Sequence, residues 1–264
     1  VYTVLRKKLL FDHMAPSGSG PRERRMAILG FAHWQDEEAR RSNPQARHGA
    51  RDFLRGALSD REQQWLEQCD AVQQSDLLER HRHNLPEWLV APLKEQLGDA
   101  FWPEVMAMSQ GAPLDLRVNA LKEKRPQVQA ELAQAAIKSE VTPYSPWGLR
   151  VVGKPQLSKL PAFVRGAIEV QDEGSQLLAL LVDAKRGEMV VDFCAGAGGK
   201  TLAIGAAMRS TGRLYAFDTS AHRLDAFKSR LKRSGLSNVH PAAIAHERDD
   251  RVKRLTGKMD RVLV

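Results

Sequence analysis

The chain has 264 residues, of which 42% are hydrophobic, and a formal net charge of +8 with a pI near 9.7. No apolar run approaches the roughly 20 residues of a membrane span, no secretory signal opens the chain, and two cysteines exclude a disulfide framework. The charge favours an anionic partner such as nucleic acid, although a soluble basic protein without that partner would carry the same charge.

A chain of this length can form two or three small domains, and we expect regions at 1–83, 84–164 and 165–264. Residues 1–83 are predicted to be a helical N-terminal region, because apolar residues such as Trp65 and Cys69 recur at helical spacing. Cys69 is expected in the core. The small number of cysteines makes a reducing, cytoplasmic location the expectation.

Local signals refine the first region. Ser59 and Glu62 have the spacing of a capping box at the start of a helix, and chain breaks are predicted at 16–21 and at 43–44. Eight arginines lie between residues 22 and 55. They could contact RNA phosphates, or they could form a solvated face that neighbouring acids balance.

Residues 84–164 are predicted to form a small α+β domain. Positions 114–121 alternate apolar and polar side chains as a strand does, with Arg117 and Asn119 on the polar face. Lys122 continues a basic stripe that could position phosphates without reading bases. The other elements predicted here are a helix over 128–137 and a hairpin region over 141–152.

Residues 189–201 combine a short apolar strand that ends at Asp192 with a turn of small residues, and a helical pattern begins at Leu202. The glycines of this turn lack a Cβ, so they permit positive φ and let backbone N–H groups approach a ligand. The helix N-terminus behind them adds unpaired donors and a partial positive charge. This arrangement is typical of a phosphate- or nucleoside-binding turn.

Two common nucleotide motifs do not fit this turn. A Walker A loop would need glycine at Cys194, and Thr201 stands where a dinucleotide fingerprint needs its third glycine. Asp218 ends a second predicted strand 22 positions after Gly196, close to the roughly 20-residue spacing at which a carboxylate meets ribose hydroxyls. S-adenosylmethionine meets these conditions, since it has a ribose and no phosphate.

Strands and helices alternate through the rest of the chain. Strands are predicted over 213–218, 239–245 and 260–264, and the helix between the first two of these ends near Gly235. This alternation predicts an α/β fold with a Rossmann-like parallel sheet and right-handed crossovers. The ligand is expected at the carboxyl ends of the strands, where the glycine turn and Asp218 meet.

Three ordered segments carry a specific resemblance. Asp192–Thr201, Leu116–Lys122 and Val170–Leu177 look like motifs of the RNA cytosine-5 methyltransferases, the family that contains the bacterial Sun and Fmu ribosomal-RNA enzymes. The resemblance covers residues 84–264 well and earlier residues poorly. It implies that 165–264 is the N-terminal part of a Rossmann-like methyltransferase domain, incomplete here. It also implies S-adenosyl-L-methionine as cofactor and RNA, expected to be ribosomal, as partner; we expect a monomer without a metal.

The resemblance implies site residues as well. Those expected to bind the cofactor are Cys194, Ala195, Gly196, Ala197, Gly198, Gly199, Lys200, Asp218 and Arg223. The contact to adenine is left open among Ala245, His246 and Asp249. Arg117 and Asn119 are implied to face RNA or the domain junction, and Lys122 completes the expected RNA-binding set. Asp172 is expected to cap a helix that braces the cofactor pocket.

In this family a cysteine thiolate adds to carbon 6 of cytosine, carbon 5 takes the methyl group, and a base removes the carbon-5 proton before the thiol leaves. The family's functional cysteines follow the fourth strand, where this chain stops at Val264. We therefore expect no catalytic residue in 1–264, a longer gene product, and an inactive segment when this one is isolated. Cys194 lies inside the cofactor turn, with its side chain expected to pack beneath that turn.

Two other functions are compatible with the residues. A nicotinamide-dependent oxidoreductase would share the strand–turn–helix unit and the acid at 218. A non-catalytic RNA-binding or assembly factor would retain the cofactor fold and the basic charge. Cofactor titration separates the first of these from a methyltransferase, and the cysteines of the full gene product separate the second.

Overall fold

A computed structural model of the chain describes residues 1–42, 51–153 and 155–264. These residues form two compact units, Val1–Ala112 and Pro113–Val264. The predicted break at 43–44 lies outside the described residues, and the domain boundaries expected after residues 83 and 164 stay a prediction. Among the residues that the structure describes, no helix has both the length and the apolar character needed to cross a bilayer.

The described part of the first unit is helical. Its α-helices are α1 (Tyr2–Arg6), α2 (Lys8–Met14), α3 (Arg22–Ser42), α4 (Asp52–Gly56), α5 (Asp60–Ala71), α6 (Glu79–His83), α7 (Glu87–Leu97) and α8 (Phe101–Ser109). Cys69 is 8% exposed and packs in a cluster with Phe11 and Trp65, which confirms its predicted core position. The backbone N–H of Ser59 donates to the Glu62 carboxylate at 2.9 Å, which confirms the capping box.

The second unit begins with a four-stranded antiparallel sheet. Its strands, in the spatial order β2-β3-β1-β4, are β1 (Leu114–Val118), β2 (Ser139–Val141), β3 (Gly148–Val151) and β4 (Ile168–Val170). Two helices accompany the sheet, α9 (Arg125–Gln134) and α10 (Pro161–Val164). Leu116 and Val118 of β1 pack with Leu132 of α9 in the core on one face of the sheet.

The ends of these elements adjust the sequence-based prediction. The hairpin predicted over 141–152 is confirmed by the pairing of β2 with β3, but the helix predicted to reach residue 137 ends at Gln134. Ala136 adopts a left-handed φ of 58°, and the N–H of Ile137 donates to the carbonyl of Leu132 at 2.9 Å. This closure satisfies a carbonyl of the last helical turn and ends the helix.

A four-stranded parallel sheet follows, which confirms the predicted Rossmann-like α/β fold. Its strands, in the spatial order β7-β6-β5-β8, are β5 (Met189–Asp192), β6 (Arg213–Asp218), β7 (Val239–Ala243) and β8 (Arg261–Leu263). The helices that precede or connect them are α11 (Glu173–Leu181), α12 (Gly199–Ala207), α13 (Ala221–Ser234) and α14 (Asp250–Lys253). Gly235 ends α13 in the left-handed conformation, as predicted.

The two faces of the parallel sheet differ, because successive side chains on a strand point to opposite sides. Val190 and Leu214 belong to the buried cluster formed with α12 and α13. Val191 and Phe217 lie on the other face and line an apolar cavity of about 280 Å³. The wall of that cavity is completed by Phe193 and by residues from the segment 252–262. It contains neither Asp218 nor a residue of the 194–199 turn, but Phe193 and Phe217 directly precede them in sequence.

Candidate cofactor site and the adjoining polar junction

The glycine turn and Asp218 lie side by side at the carboxyl ends of β5 and β6. We call residues 194–199 the cofactor turn. The N–H of Gly196 donates to Asp218 Oδ2 at 2.8 Å, although 22 residues separate them in sequence. A second bond, from the N–H of Ala195 to the carbonyl of Phe217 at 2.8 Å, ties the turn to the end of β6. The two sequence features that indicated a nucleoside ligand are therefore adjacent.

The carboxylate of Asp218 is held by backbone groups. Its side chain is 6% exposed, Oδ2 accepts from Gly196, and Oδ1 accepts from the N–H of Ser220 at 2.8 Å. Each carboxylate oxygen retains a further lone pair, so the hydroxyl groups of a ribose can still donate to it. A carboxylate acceptor that is fixed beside a glycine turn is the group that a ribose diol requires.

Two glycines with positive φ shape the cofactor turn. Gly196 has a φ of 54° and Gly198 a φ of 80°. A Cβ on Gly198 would lie 2.0 Å from the Phe227 ring, so a larger residue there would have to displace α13. A Cβ on Gly196 would have Asp218 Oδ2 as its nearest neighbour, at 3.9 Å, and would occupy the space beside that carboxylate. The missing side chain of Gly196 leaves the space beside Asp218 to a ligand, which fits the nucleoside part of S-adenosylmethionine, while Gly198 lets the turn pack closely on Phe227.

Asp192 and Thr201 connect the strand to the helix on either side of the turn. Thr201 Oγ1 donates to Asp192 Oδ2 at 2.7 Å, and both side chains are buried. Burial raises the pKa of Asp192, and the hydrogen bond from Thr201 opposes that shift. Sequence reasoning noted the acid at the end of the strand but gave neither residue a role, because their pairing across nine positions follows no helical or strand period.

The other predicted cofactor residues differ in accessibility. Cys194 is exposed, so the expectation that its side chain packs beneath the turn is wrong, and Ala195 takes the buried position instead. Lys200 is half-buried at the start of α12. Arg223 is exposed in the first turn of α13, where its backbone N–H donates to Ser220 Oγ at 3.4 Å. The cofactor contacts expected of these residues, and of Ala197 and Gly199, stay predictions.

The segment after β7 reaches the same edge of the sheet. The N–H of Ile244 donates to the backbone carbonyl of Asp218 at 3.1 Å. Asp249 accepts from the N–H of Ala245 at 3.1 Å and from that of Arg251 at 2.9 Å, so its carboxylate orders the loop. All three adenine-contact candidates therefore lie in a loop that is joined to the Asp218 strand, and the contact itself stays a prediction.

A cluster of charged and polar side chains lies between the antiparallel sheet and α13. We call it the polar junction, and its members are Arg117, Asn119, Glu169, Arg230 and Arg233. Glu169, on β4, is 3% exposed and accepts from Arg230 Nε at 2.9 Å and from Arg233 Nη2 at 2.5 Å. Arg117 is its cross-strand partner on β1; burial lowers the pKa of Arg117 to about 10, and the charge of Glu169 opposes this. Two guanidinium groups therefore contact this buried carboxylate, while Arg117 donates from Nε to Gln171 Oε1 at 2.6 Å and is stabilised by the charge of Glu169.

The residues predicted to bind RNA lie at this junction or at its edge. Arg117 and Asn119 are 2% and 3% exposed, and Asn119 Nδ2 donates to the carbonyls of Gly166 and Ser234 at 3.1 and 3.0 Å. Lys122 is exposed, but its ammonium donates to two backbone carbonyls at 2.6 and 2.7 Å. Of the two alternatives expected for this face of β1, the structure shows the junction, because Asn119 binds acceptors on both sides of it. Contact of Arg117, Asn119 and Lys122 with RNA stays a prediction.

Several arginines of the first unit also have partners within the protein. Arg51 is 5% exposed and contacts the carboxylates of Asp36 and Asp70, each at 2.5 Å. Arg24 contacts the Glu62 carboxylate at 2.5 Å. The side chains at 41 and 47 lie outside the described residues. Arg24 and Arg51 therefore form ion pairs within this unit and do not contribute to an unpaired basic surface.

Two models of protein families match parts of the chain. The model described as "Methyltr_RsmF/B-like, ferredoxin-like domain" matches residues 85–157, and the model described as "16S rRNA methyltransferase RsmB/F" matches residues 179–264. The second match contains both the cofactor turn and Asp218. The chain belongs to the RsmB/F methyltransferase family. Membership of a methyltransferase family supports the predicted cofactor, S-adenosyl-L-methionine.

Curated relatives agree with this assignment. The probable ribosomal RNA small subunit methyltransferase B of Synechocystis sp. is 32% identical over 160 residues, which cover 60% of this chain and 36% of that protein. The ribosomal RNA small subunit methyltransferase B of Pasteurella multocida is 36% identical over 158 residues, which cover 59% of this chain and 34% of that protein. The chain thus spans about a third of the length of these relatives.

Solved structures share the fold. A methyltransferase homolog protein from Pyrococcus horikoshii is 27% identical with a TM-score of 0.59, covering 65% of this chain and 56% of that one. The structure of NSun6 from Pyrococcus horikoshii with SFG has a TM-score of 0.61 at 20% identity, covering 68% of this chain and 70% of that one. At 20% identity the likeness to NSun6 shows the fold alone, and that fold agrees with the parallel sheet described above.

Proposed function

We propose that the protein containing this chain is an S-adenosylmethionine-dependent methyltransferase that modifies carbon 5 of a cytosine in RNA, and that its substrate is ribosomal RNA. The single observation that carries the proposal is the 2.8 Å hydrogen bond between Gly196 and Asp218, which joins a glycine turn to a ribose acceptor. The names of the RsmB/F relatives support ribosomal RNA as the substrate class. The net charge of +8 suits a polyanion.

Each group at the site has a binding role in this proposal. The Asp218 carboxylate accepts hydrogen bonds from both ribose hydroxyls. The backbone of the cofactor turn borders the ribose and methionine parts of the ligand. Lys200, at the N-terminus of α12, neutralises the methionine carboxylate, a charge that the helix N-terminus also favours. Arg223, in the first turn of α13, is assigned a contact with the cofactor by the resemblance to the family. S-adenosylmethionine supplies the methyl group when it is bound.

We place the nucleophilic cysteine outside residues 1–264. Cys69 is buried in the core of the first unit, and burial raises the pKa of its thiol to about 11, so little thiolate forms at neutral pH. Cys194 is exposed but sits in the cofactor turn, where its backbone is expected to border the ligand. Neither position suits a thiolate that must add to carbon 6 of a base.

Calorimetric titration with S-adenosylhomocysteine and with NAD tests the cofactor. We expect binding of the first and none of the second, and Asp218→Ala should cost about 1–3 kcal/mol of affinity through lost hydrogen bonds. Asp225→Ala is the matched control, since Asp225 is an exposed acid on α13 that contacts Lys228. Tight NAD binding without S-adenosylhomocysteine binding would instead favour an oxidoreductase.

A second experiment tests the reaction. The gene product that contains this chain is incubated with unmodified small-subunit ribosomal RNA and tritium-labelled S-adenosylmethionine, and bisulfite sequencing then locates the product. Protected cytosines are expected, because methylation of carbon 5 blocks bisulfite deamination. Transfer of label without protected cytosines would contradict carbon-5 specificity. RNA and cofactor binding without transfer would favour a non-catalytic assembly factor.

A further inference from the structure

Arg230 joins the cofactor turn to the antiparallel sheet. It projects from α13, and its Nη1 donates to the carbonyl of Ala197 at 2.8 Å. Its Nε donates to Glu169 Oε2 on β4 at 2.9 Å. One guanidinium group therefore contacts two segments that are 33 residues upstream and 61 residues upstream of it in sequence.

Glu169 fixes the position of that guanidinium. The carboxylate is buried, and its second oxygen is held by Arg233 at 2.5 Å. A buried carboxylate that loses a cationic partner pays a large desolvation penalty, so Arg230 stays on Glu169 rather than turning toward solvent. Because the guanidinium is planar, its Nη1 donor then points in a fixed direction, and the carbonyl of Ala197 accepts a hydrogen bond from it.

The peptide between Ala197 and Gly198 needs such a restraint. Gly198 has a φ of 80°, and glycine reaches a wide range of backbone conformations at little cost. Two neighbouring groups of the turn are already bound, since Gly196 donates to Asp218 and the N–H of Gly198 donates to the carbonyl of Ala195 at 2.8 Å. The N–H of the 197–198 peptide is thus bonded within the turn, and the bond from Arg230 to the Ala197 carbonyl holds the other polar group of the same peptide from outside the turn.

We propose that Arg230 is a positioning residue for the cofactor turn. Anchored by Glu169 of the antiparallel sheet, it holds the 197–198 peptide in the conformation that binds the cofactor. Cofactor affinity then depends on a carboxylate that lies in a different sheet from the binding site. The identity of the ligand rests on the proposed function, whereas the restraint on the turn does not.

The test compares Arg230→Gln with Arg233→Gln. Both variants remove one of the two arginines that contact Glu169, but Arg233 stacks on Phe163 at 4.3 Å while Arg230 reaches the turn. We expect Arg230→Gln to weaken S-adenosylhomocysteine binding about ten-fold in calorimetry, and Arg233→Gln to change it less than about two-fold. Arg230→Lys should recover part of the affinity, because an ammonium can reach either acceptor but not both.

Amide hydrogen exchange provides a readout that needs no ligand. Exchange at residues 195–199 should be faster in Arg230→Gln than in wild type and unchanged in Arg233→Gln, at a temperature where both variants are folded. Equal effects of the two variants on affinity and exchange would overturn the proposal and reduce Arg230 to a structural ion pair. If wild type binds no S-adenosylhomocysteine, the proposed function fails, and the exchange comparison still decides the role of Arg230.

Discussion

The cofactor turn and the polar junction are neighbours that are built by opposite means. The turn uses backbone N–H groups and the absence of side chains, with Gly196 and Gly198 at positive φ. The junction uses long charged side chains, which are ordered by the buried carboxylate of Glu169. A substitution in the turn therefore acts through steric volume and backbone strain, whereas a substitution in the junction acts through uncompensated charge.

The largest effect is expected from Gly198→Ala. The new Cβ would meet the Phe227 ring at 2.0 Å in a left-handed conformation, so we expect a loss of roughly 3–5 kcal/mol in the free energy of unfolding. Gly187→Ala is the control, because Gly187 has a φ of 83° but no atom within 4 Å of its Cβ position, and should lose only about 1 kcal/mol. Urea denaturation measures both, and equal losses would show that the turn is not limited by volume.

Glu169→Gln should produce the next largest effect. It preserves shape but leaves Arg230, Arg233 and the buried Arg117 without their negative charge, at a cost of roughly 2–3 kcal/mol. The control is Glu131→Gln, which removes a partly exposed contact with Arg165 and should cost about 0.5 kcal/mol. If the two variants unfold at the same urea concentration, the junction does not depend on charge.

A smaller effect concerns pH and the acid at the end of β5. Burial raises the pKa of Asp192 above its ordinary value of 3.8, so the folded state holds this proton more tightly than the unfolded chain does. The contribution of Asp192 to stability should therefore fall as pH rises from 3.8 through the raised pKa. Asp192→Asn lacks this dependence. The wild-type free energy of unfolding minus that of the variant should decrease between acid and neutral pH, and a constant or rising difference would contradict the shift.

The smallest perturbation is chemical labelling, which leaves the fold intact. Cys194 is exposed in the turn, whereas Cys69 is buried and the pKa of its thiol is raised to about 11. A maleimide reagent should therefore modify one thiol quickly and the other slowly, as followed by mass spectrometry. S-adenosylhomocysteine should slow the fast reaction by covering the turn. Cys194→Ser identifies the fast site, and labelling that is indifferent to the ligand would place the ligand elsewhere.

The same contrast explains what the sequence could predict. The strands of the parallel sheet and the glycine turn follow from short-range patterns, because apolar runs and glycine spacing can be read along the chain. The place of Asp218 follows from its position at the end of such a run and from its spacing to the turn. The helix end at Gln134 was missed because Ala136, a residue without a turn preference, adopts the left-handed conformation.

The junction could not be predicted in this way. Arg230 and Glu169 are 61 positions apart, and Arg117 and Gln171 are 54 positions apart, so no local period links them. Arg117 and Asn119 were correctly assigned to one face of a strand, but a polar face is ordinarily solvated, and only the packing of α13 against it shows that it is buried. Burial of charge is decided by tertiary partners, which a single sequence does not display.

The double attachment of β4 has a practical consequence for dissecting the molecule. The backbone of β4 pairs with β1, while the carboxylate of Glu169 on β4 accepts hydrogen bonds from arginines of α13. A shortened protein that starts at residue 171 would keep every strand of the parallel sheet and still lose the counter-charge of two arginines. A shortened protein should therefore start before Leu114, so that it keeps the whole antiparallel sheet. A chimaera that exchanges this sheet between relatives should transfer the residues at 169, 230 and 233 together.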